Sequence, residues 1–232
     1  MQFVYICRSG ANEELRYSIR SVQKFFPGSD VVVVGNPPEW YGGTKIIVPQ
    51  TKNKYENAKN NILKICSSDL IENFFVFMND DFFIIKKIQE IPYFYSGLLS
   101  EKLKLYTKTA SRNSYTTKIA QVYKKIKALG ISSPLDYELH VPFLVEKDKL
   151  KISVEHDYLW RSVYGNLFSV GGTETRDVKI YSQKENNPRS FPYKEISSPF
   201  ISSEDKSFIE IKNNLLSKIL KTPSSFEIDN KI

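Results

Sequence analysis

Three short, unbroken apolar runs constrain this chain more than any other feature: Phe3-Val4-Tyr5-Ile6-Cys7, Val31-Val32-Val33-Val34 and Phe74-Phe75-Val76-Phe77-Met78. A strand with one wet face alternates apolar and polar residues. A strand without alternation is covered on both faces, as in a parallel sheet between helices. Helical spacing fills the intervals. Leu15, Ile19, Val22 and Phe26 follow a predicted N-cap at Asn12, with Glu13 and Glu14 in the first turn and Pro27-Gly28 as the stop. Ala58, Ile62 and Ile65 mark a second helix from about Lys54, and Ile46-Ile47-Val48 reads as a further strand. Strand, helix, strand, strand, helix, strand within about 80 residues is an α/β pattern with a mostly parallel sheet.

The second half is less regular. Tyr115 to Leu129 reads as a basic amphipathic helix closed by Gly130, Leu139 to Val145 as an extended segment, and Val154 to Tyr164 as one helix ended by Gly165-Asn166. Residues 184–203, rich in Pro, Ser and Asn, read as a surface loop. Ser202 or Ser203 is the expected cap of a last helix through about Ile219, and the final dozen residues are expected to fray. The 232 residues suit a single domain: a core over 1–90, an irregular portion over 91–200, and a helix and tail over 201–232.

Hydrophobic residues make up 41% of the chain, which excludes a disordered polypeptide. The formal charge of +7 favours anionic partners, although the lysines are dispersed. Cys7 and Cys66 are expected as two free thiols, and no Cys/His cluster suggests zinc. No apolar stretch approaches the ~18 residues of a spanning helix. A soluble protein of a bacterial or virus-infected cytoplasm is the expectation, without stable membrane insertion.

The polar break after the third apolar run carries the chemistry. In Phe77-Met78-Asn79-Asp80-Asp81-Phe82-Phe83, two adjacent carboxylates sit between apolar segments, which is costly unless donors or a cation compensate them. Mg²⁺ or Mn²⁺ takes oxygen ligands and bridges carboxylates to a diphosphate. Ligands of open α/β sheets bind beyond the carboxyl ends of the strands, where this pair falls. Alone, an Asp pair after a strand is more often a turn.

Its surroundings resemble a known family. Asn12-Glu13-Glu14-Leu15-Arg16-Tyr17-Ser18-Ile19-Arg20-Ser21-Val22, then Pro38-Glu39-Trp40, is similar to the first block of the Stealth-type sugar-phosphate transferases. Asn57-Ala58 and Asn79-Asp80-Asp81-Phe82-Phe83 resemble the second block, in the same order; His140-Val141-Pro142 and Trp160-Arg161-Ser162 resemble later blocks. The resemblance implies a GT-A-like, Rossmann-related fold that binds a nucleotide sugar, a UDP sugar foremost, through a divalent metal. It places metal and diphosphate at Asn79, Asp80 and Asp81, a phosphate contact at Arg161 and a functional histidine at His140. The short length and the opening Tyr5-Ile6-Cys7-Arg8 depart from the family, so glycosyl and sugar-phosphate transfer both stay open.

Further candidates follow from position. Arg8 ends the first strand. Arg16 suits an internal ion pair or a nucleotide contact, and Arg20 lies one turn on. Tyr55 and Asn57 open the second helix, where a base could stack and a sugar hydrogen-bond. Asp136, Glu138 and His140 supply the expected general base. The acceptor is either a glycan or a hydroxymethylated base in DNA. The second is favoured by Lys118, Lys124, Lys125 and Lys127, which would equally suit a non-enzymatic nucleic-acid-binding module.

Overall fold

In the computed structural model, which describes residues 1–109, 114–156, 159–182 and 196–228, the apolar runs are neighbouring strands of one sheet. β1 (Gln2–Cys7) leads through α1 (Glu13–Phe25) to β2 (Asp30–Gly35) and β3 (Thr44–Ile47). α2 (Lys54–Ser67) then returns the chain to β4 (Phe74–Asn79) on the other side of β1. β1 pairs in parallel with β2 and β4, and β2 with β3. The result is a mainly parallel α/β sheet with flanking helices. The chain winds one way from β1 to β3 and the other way to β4, which makes the β1–β4 boundary the topological switch point.

Both faces are dry, as unbroken apolar runs require. Phe3, Tyr5, Val31, Val33, Val76 and Met78 pack with Leu15, Ile19 and Val22 of α1. The alternate residues Val4, Val32, Val34, Phe75 and Phe77 pack with Ile62 and Ile65 of α2 on the opposite face. At Gly35 the chain leaves β2 at φ 121°, where a Cβ would strike the Cys7 carbonyl.

The Asp pair turns the chain into β5 (Phe82–Ile84), which lies along α1. Two small residues of the helix accept it. Ser18 Oγ donates to the Phe82 carbonyl, and Ser21 Oγ accepts the Ile84 N–H at 3.1 Å. The two sequence blocks that carry the family resemblance therefore touch through these serines.

β6 (Phe94–Tyr95), α3 (Leu99–Thr109) and α4 (Ser114–Ala128) follow, with Gly130 closing α4 at φ 87°. β7 (Phe143–Glu146) joins the main sheet antiparallel to β4. The predicted extended segment is a strand only from Phe143. Leu139 to Pro142 is irregular: Arg161 donates to the carbonyls of Leu139 and Val141, Asp177 accepts the His140 N–H, and the Leu139 N–H donates to the Tyr137 carbonyl.

The single helix expected over Val154–Tyr164 is two, α5 (Lys147–His156) and α6 (Trp160–Leu167), and α6 runs past Gly165, which closes on the Tyr137 ring. β8 (Thr173–Glu174) pairs with β6, and β9 (Lys179–Ile180) with β10 (Phe200–Ser203).

The polar reading of 184–203 thus fails at its end, since β10 is wholly buried between β5 and β9; residues 183–195 lie outside the described part. Ser202 and Ser203 are strand residues. The cap of α7 (Asp205–Ile211) is Glu204, whose side chain takes the Ser207 N–H while Ser207 Oγ takes the Glu204 N–H. A π-helical turn over Lys212–Leu216 leads into α8 (Ser217–Ile219).

The tail expected to fray is docked as far as Ile228. Tyr41 and Glu227 form an antiparallel bridge, Gly42 N donates to the Phe226 carbonyl, and Ile228 N to that of Trp40. The Glu227 carboxylate anchors it by accepting from Arg16, Arg20 and the Ser224 N–H.

Candidate functional site

A cavity of about 1000 Å³ opens at the carboxyl ends of β1 and β4, at the switch point. Arg8, Tyr55, Asn57, Asn79, Asp80, Asp81 and His140 all line it. Seven sequence candidates separated by up to 132 positions therefore share one space. Glu138 and Arg161 line a smaller chamber of about 180 Å³ beside it, also bordered by Asn79 and His140.

Two candidates line neither cavity. Asp136 is 1% exposed; its carboxylate pairs with Lys102 at 2.7 Å and accepts the Glu138 N–H at 3.1 Å, which orders the Asp136–Glu138 turn. Arg16 lies over the Trp40 ring at 4.3 Å and pairs with Glu227, the internal ion pair that was one of its two expected fates.

Asp80 and Asp81 have different partners. Asp80 accepts from Asn12 Nδ2 at 2.7 Å. Asn12 also caps α1 through Oδ1, at 3.0 Å from Leu15 N, with its own backbone left-handed at φ 45°. Asp81 holds Lys179 Nζ at 2.9 Å and Ser202 Oγ at 3.0 Å, and its carbonyl takes the Ser203 N–H. Ser203 Oγ reaches Glu14 at 2.7 Å.

Burial first, then the charge of Asp81, pushes Asp80 up to about 6, against the bonds from Asn12 and the charge of Arg8. Glu14 is pushed up to about 7 by burial, with Asp80, Asp81 and Asp205 adding to it. Negative charge has collected here in excess of the protein's own compensation.

That excess fits a divalent cation of a particular kind. Among the described residues no group of three or more His, Cys, Asp or Glu side chains forms a closed cage. Two neighbouring carboxylates are the usual protein share for Mg²⁺ or Mn²⁺, which fill their shells with phosphate oxygens and water. Asp80 and Asp81 would hold such an ion, and Asp81 keeps one oxygen clear of Lys179 and Ser202.

Around this acidic floor the cavity carries cations. Arg8 reaches Asp205 at 3.1 Å with both side chains largely exposed, and Lys54 and Lys206 line the wall. Tyr55 is covered by Lys118 Nζ at 4.5 Å and Lys54 Nζ at 5.2 Å from its ring centre. Asn57 ties its side chain to the Thr51 backbone at 2.7 and 2.8 Å, shaping the entry to α2.

His140 Nδ1 lies 2.7 Å from Asp177 Oδ2, and its backbone N–H donates to Asp177 Oδ1. Burial alone would raise the Asp177 carboxyl, but the His140 bonds and charge hold it below its ordinary value. A ring held through Nδ1–H presents Nε2 as its acceptor.

Cys7 and Cys66 are both free, and burial pushes the Cys7 thiol up to about 12, which leaves it an inert wall residue.

Six residues that shape the site escaped the functional reading of the sequence: Asn12, Glu14, Asp177, Lys179, Ser202 and Ser203. Asn12 and Glu14 were visible as helix-start residues within the first family-like block, without a role in the site. The other four arrive on short strands and turns without a pattern.

Asn12→Gly isolates the Asn12 side chain, because glycine accepts the left-handed backbone. Losing the cap and the Asp80 bond is expected to cost about 1–2 kcal/mol in urea denaturation. An unchanged stability would mean that neither bond contributes to the fold.

No protein-family model matches the chain, and no curated protein matches it in sequence. Solved glycosyltransferase structures resemble it. The WbbM bifunctional glycosyltransferase is 11% identical with a TM-score of 0.48, over 78% of this chain and 40% of that one. An active-site mutant of LgtC is 12% identical with a TM-score of 0.41, over 81% of each chain. The galactosyltransferase LgtC in complex with donor and acceptor sugar analogues is 11% identical with a TM-score of 0.43, over 98% and 85%. The chain thus spans two-fifths of the WbbM chain it matches.

Proposed function

We propose that this protein is a metal-dependent glycosyltransferase that moves a sugar from a nucleotide-sugar donor to a hydroxyl acceptor. One observation carries the reading: a half-buried carboxylate pair at the switch point of a mainly parallel sheet, on the floor of a cavity with a cationic wall. A nucleoside diphosphate needs a cation between its phosphates and any carboxylate, and further cations around it. A bound Mg²⁺ or Mn²⁺ supplies Lewis acidity that neutralises charge on the departing diphosphate.

The chain's own residues do the rest. Asp80 and Asp81 fix the diphosphate end, held in place by Asn12, Lys179 and Ser202. Arg8 and Lys54 add positive charge where the phosphates lie. His140 takes the proton of the attacking hydroxyl at Nε2, with Asp177 fixing the ring's tautomer. Asp136, buried against Lys102, positions the turn and does not exchange protons with substrate.

The acceptor is proposed as a hydroxyl of a glycan or of a modified base in DNA. Of the helix lysines, Lys125 and Lys127 reach backbone carbonyls of His156 and Ser132, and Lys118 lies over Tyr55. Duplex affinity that falls steeply with salt would assign the DNA acceptor.

Thermal shift with UDP, GDP and CMP sugars, with and without Mn²⁺, tests the donor. At a ligand concentration 100-fold above Kd the expected stabilisation is about 2.7 kcal/mol, only with metal present, for at least one nucleotide. No metal-dependent shift with any of them would contradict the reading.

A further inference from the structure

The smaller chamber is a built space that neither the carboxylate pair nor the cationic wall occupies. It adjoins the main cavity, and Ile6, Ala58, Asn79, Tyr115 and His140 border both. Phe82, Tyr115 and Trp160 contribute aromatic walls, and Glu138 is the one carboxylate among the described residues that line it. Its volume of about 180 Å³ suits a single sugar ring, not a nucleotide or an oligosaccharide.

Glu138 is the polar feature to be explained. Its Oε1 accepts the Ser162 N–H at 2.8 Å, which fixes the side chain. Its second oxygen takes no hydrogen bond among the described residues, and it is not among the sealed-in unpaired atoms. A carboxylate with one oxygen anchored and one open, beside aromatic rings, is the chemistry that accepts hydroxyls of a polyhydroxylated ring while the rings cover its C–H face.

The far wall cannot retreat. Arg161 is 6% exposed, and its guanidinium lies within 5.1–5.9 Å of the ring centres of Phe77, Phe82, Phe143 and Trp160. Its Nη1 donates to the carbonyls of Leu139 and Val141, so it braces the segment that presents Glu138 and His140. An N-acetyl group or a second ring would have to displace this braced layer, and a core of this density does not yield without cost.

We propose that this chamber takes the transferred sugar as an unsubstituted monosaccharide ring, and that Glu138 selects it through its hydroxyls. The proposal rests on the nucleotide-sugar reading, and calorimetry in Mn²⁺ separates the two. The titrants are UDP, GDP and their glucose, galactose, mannose and N-acetylglucosamine conjugates, on wild type, Glu138→Gln and Ala58→Phe.

At least one hexose conjugate is expected to bind about tenfold or more tighter than its parent diphosphate, and the N-acetyl conjugate no tighter than UDP. Glu138→Gln should remove about tenfold of the hexose advantage and leave diphosphate affinity unchanged. Ala58→Phe, which puts a ring at the border shared by the two cavities, should abolish the advantage altogether.

Diphosphate binding with the N-acetyl conjugate preferred would overturn the chamber assignment alone, as would a hexose advantage untouched by both substitutions. Absence of any diphosphate binding to wild type would overturn the nucleotide-sugar reading and the chamber assignment with it.

Discussion

Asp80→Asn and Asp81→Asn are each expected to lower sugar transfer by about 10²–10³-fold, and together to bring it to background, without loss of fold. Each amide keeps a carbonyl oxygen for the existing partners, Asn12 on Asp80 and Lys179 with Ser202 on Asp81. The charge, which is what a divalent cation needs, is gone.

Stability should respond in the opposite sense at position 80. The folded-state pKa of Asp80 lies at about 6, above its ordinary 3.8, so its ionised form costs the folded state stability as pH rises from about 4 through 6. The neutral Asp80→Asn side chain avoids that cost, and its melting temperature at pH 7 should equal or exceed that of wild type. A variant that loses activity and melts well below wild type would show a structural role instead.

Glu227→Ala carries the largest expected effect on stability. The Glu227 carboxylate is 4% exposed and accepts from Arg16 at 2.8 Å, twice from Arg20 at 2.7 Å, and from Ser224 N at 2.7 Å. Its removal leaves two arginines without their acceptor and takes away the side-chain anchor of the docked tail. The expected loss is about 3 kcal/mol, or roughly 6–12 °C for a domain of this size.

The pH dependence has a definite sign. Burial would raise the Glu227 carboxyl, but bonds from Arg20, Ser224 and Arg16 outweigh it and lower the pKa from 4.5 to about 2. A depressed acid contributes fully above its unfolded value, here above about pH 4.5, and that contribution disappears as pH falls through about 2. Urea denaturation at pH 7 and pH 3 should therefore show a smaller gap between wild type and Glu227→Ala at the lower pH. A loss below about 1 kcal/mol at pH 7 would place this cluster among weak surface ion pairs.

The tail also bears on the site. Arg16, held by Glu227, covers the Trp40 ring, and Trp40 Nε1 donates to the Ala11 carbonyl at 2.6 Å, one residue before Asn12.

What could be read from the sequence follows from burial. β1, β2 and β4 were legible because strands covered on both faces must be apolar throughout, and few other structures tolerate such runs. Asn79-Asp80-Asp81 was legible because it interrupts one of them. β10 was not, since Phe200-Ile201-Ser202-Ser203 looks like loop composition. Its serines are buried because Asp81 and Glu14 take their hydroxyls, a partnership across more than 120 positions that leaves no local pattern.

Lys179 and Asp177 were hidden for the same reason, being carried by a two-residue strand and its lead-in. Glu227 looked like part of a polar terminus, and only its two arginines, some 200 positions earlier, show that it is anchored. A carboxylate beside a histidine in sequence suggests catalysis; Asp136 lies outside both cavities because its neighbour in space is Lys102.

Manganese anomalous diffraction from crystals grown with Mn²⁺ and the nucleoside diphosphate selected by thermal shift locates the metal. A manganese peak is expected about 2.1 Å from carboxylate oxygens of Asp80 and Asp81, with the diphosphate on its far side toward Arg8 and Lys54. A nucleotide bound in the cavity without metal contact to either aspartate, or a metal peak elsewhere on the chain, would contradict the metal-dependent reading.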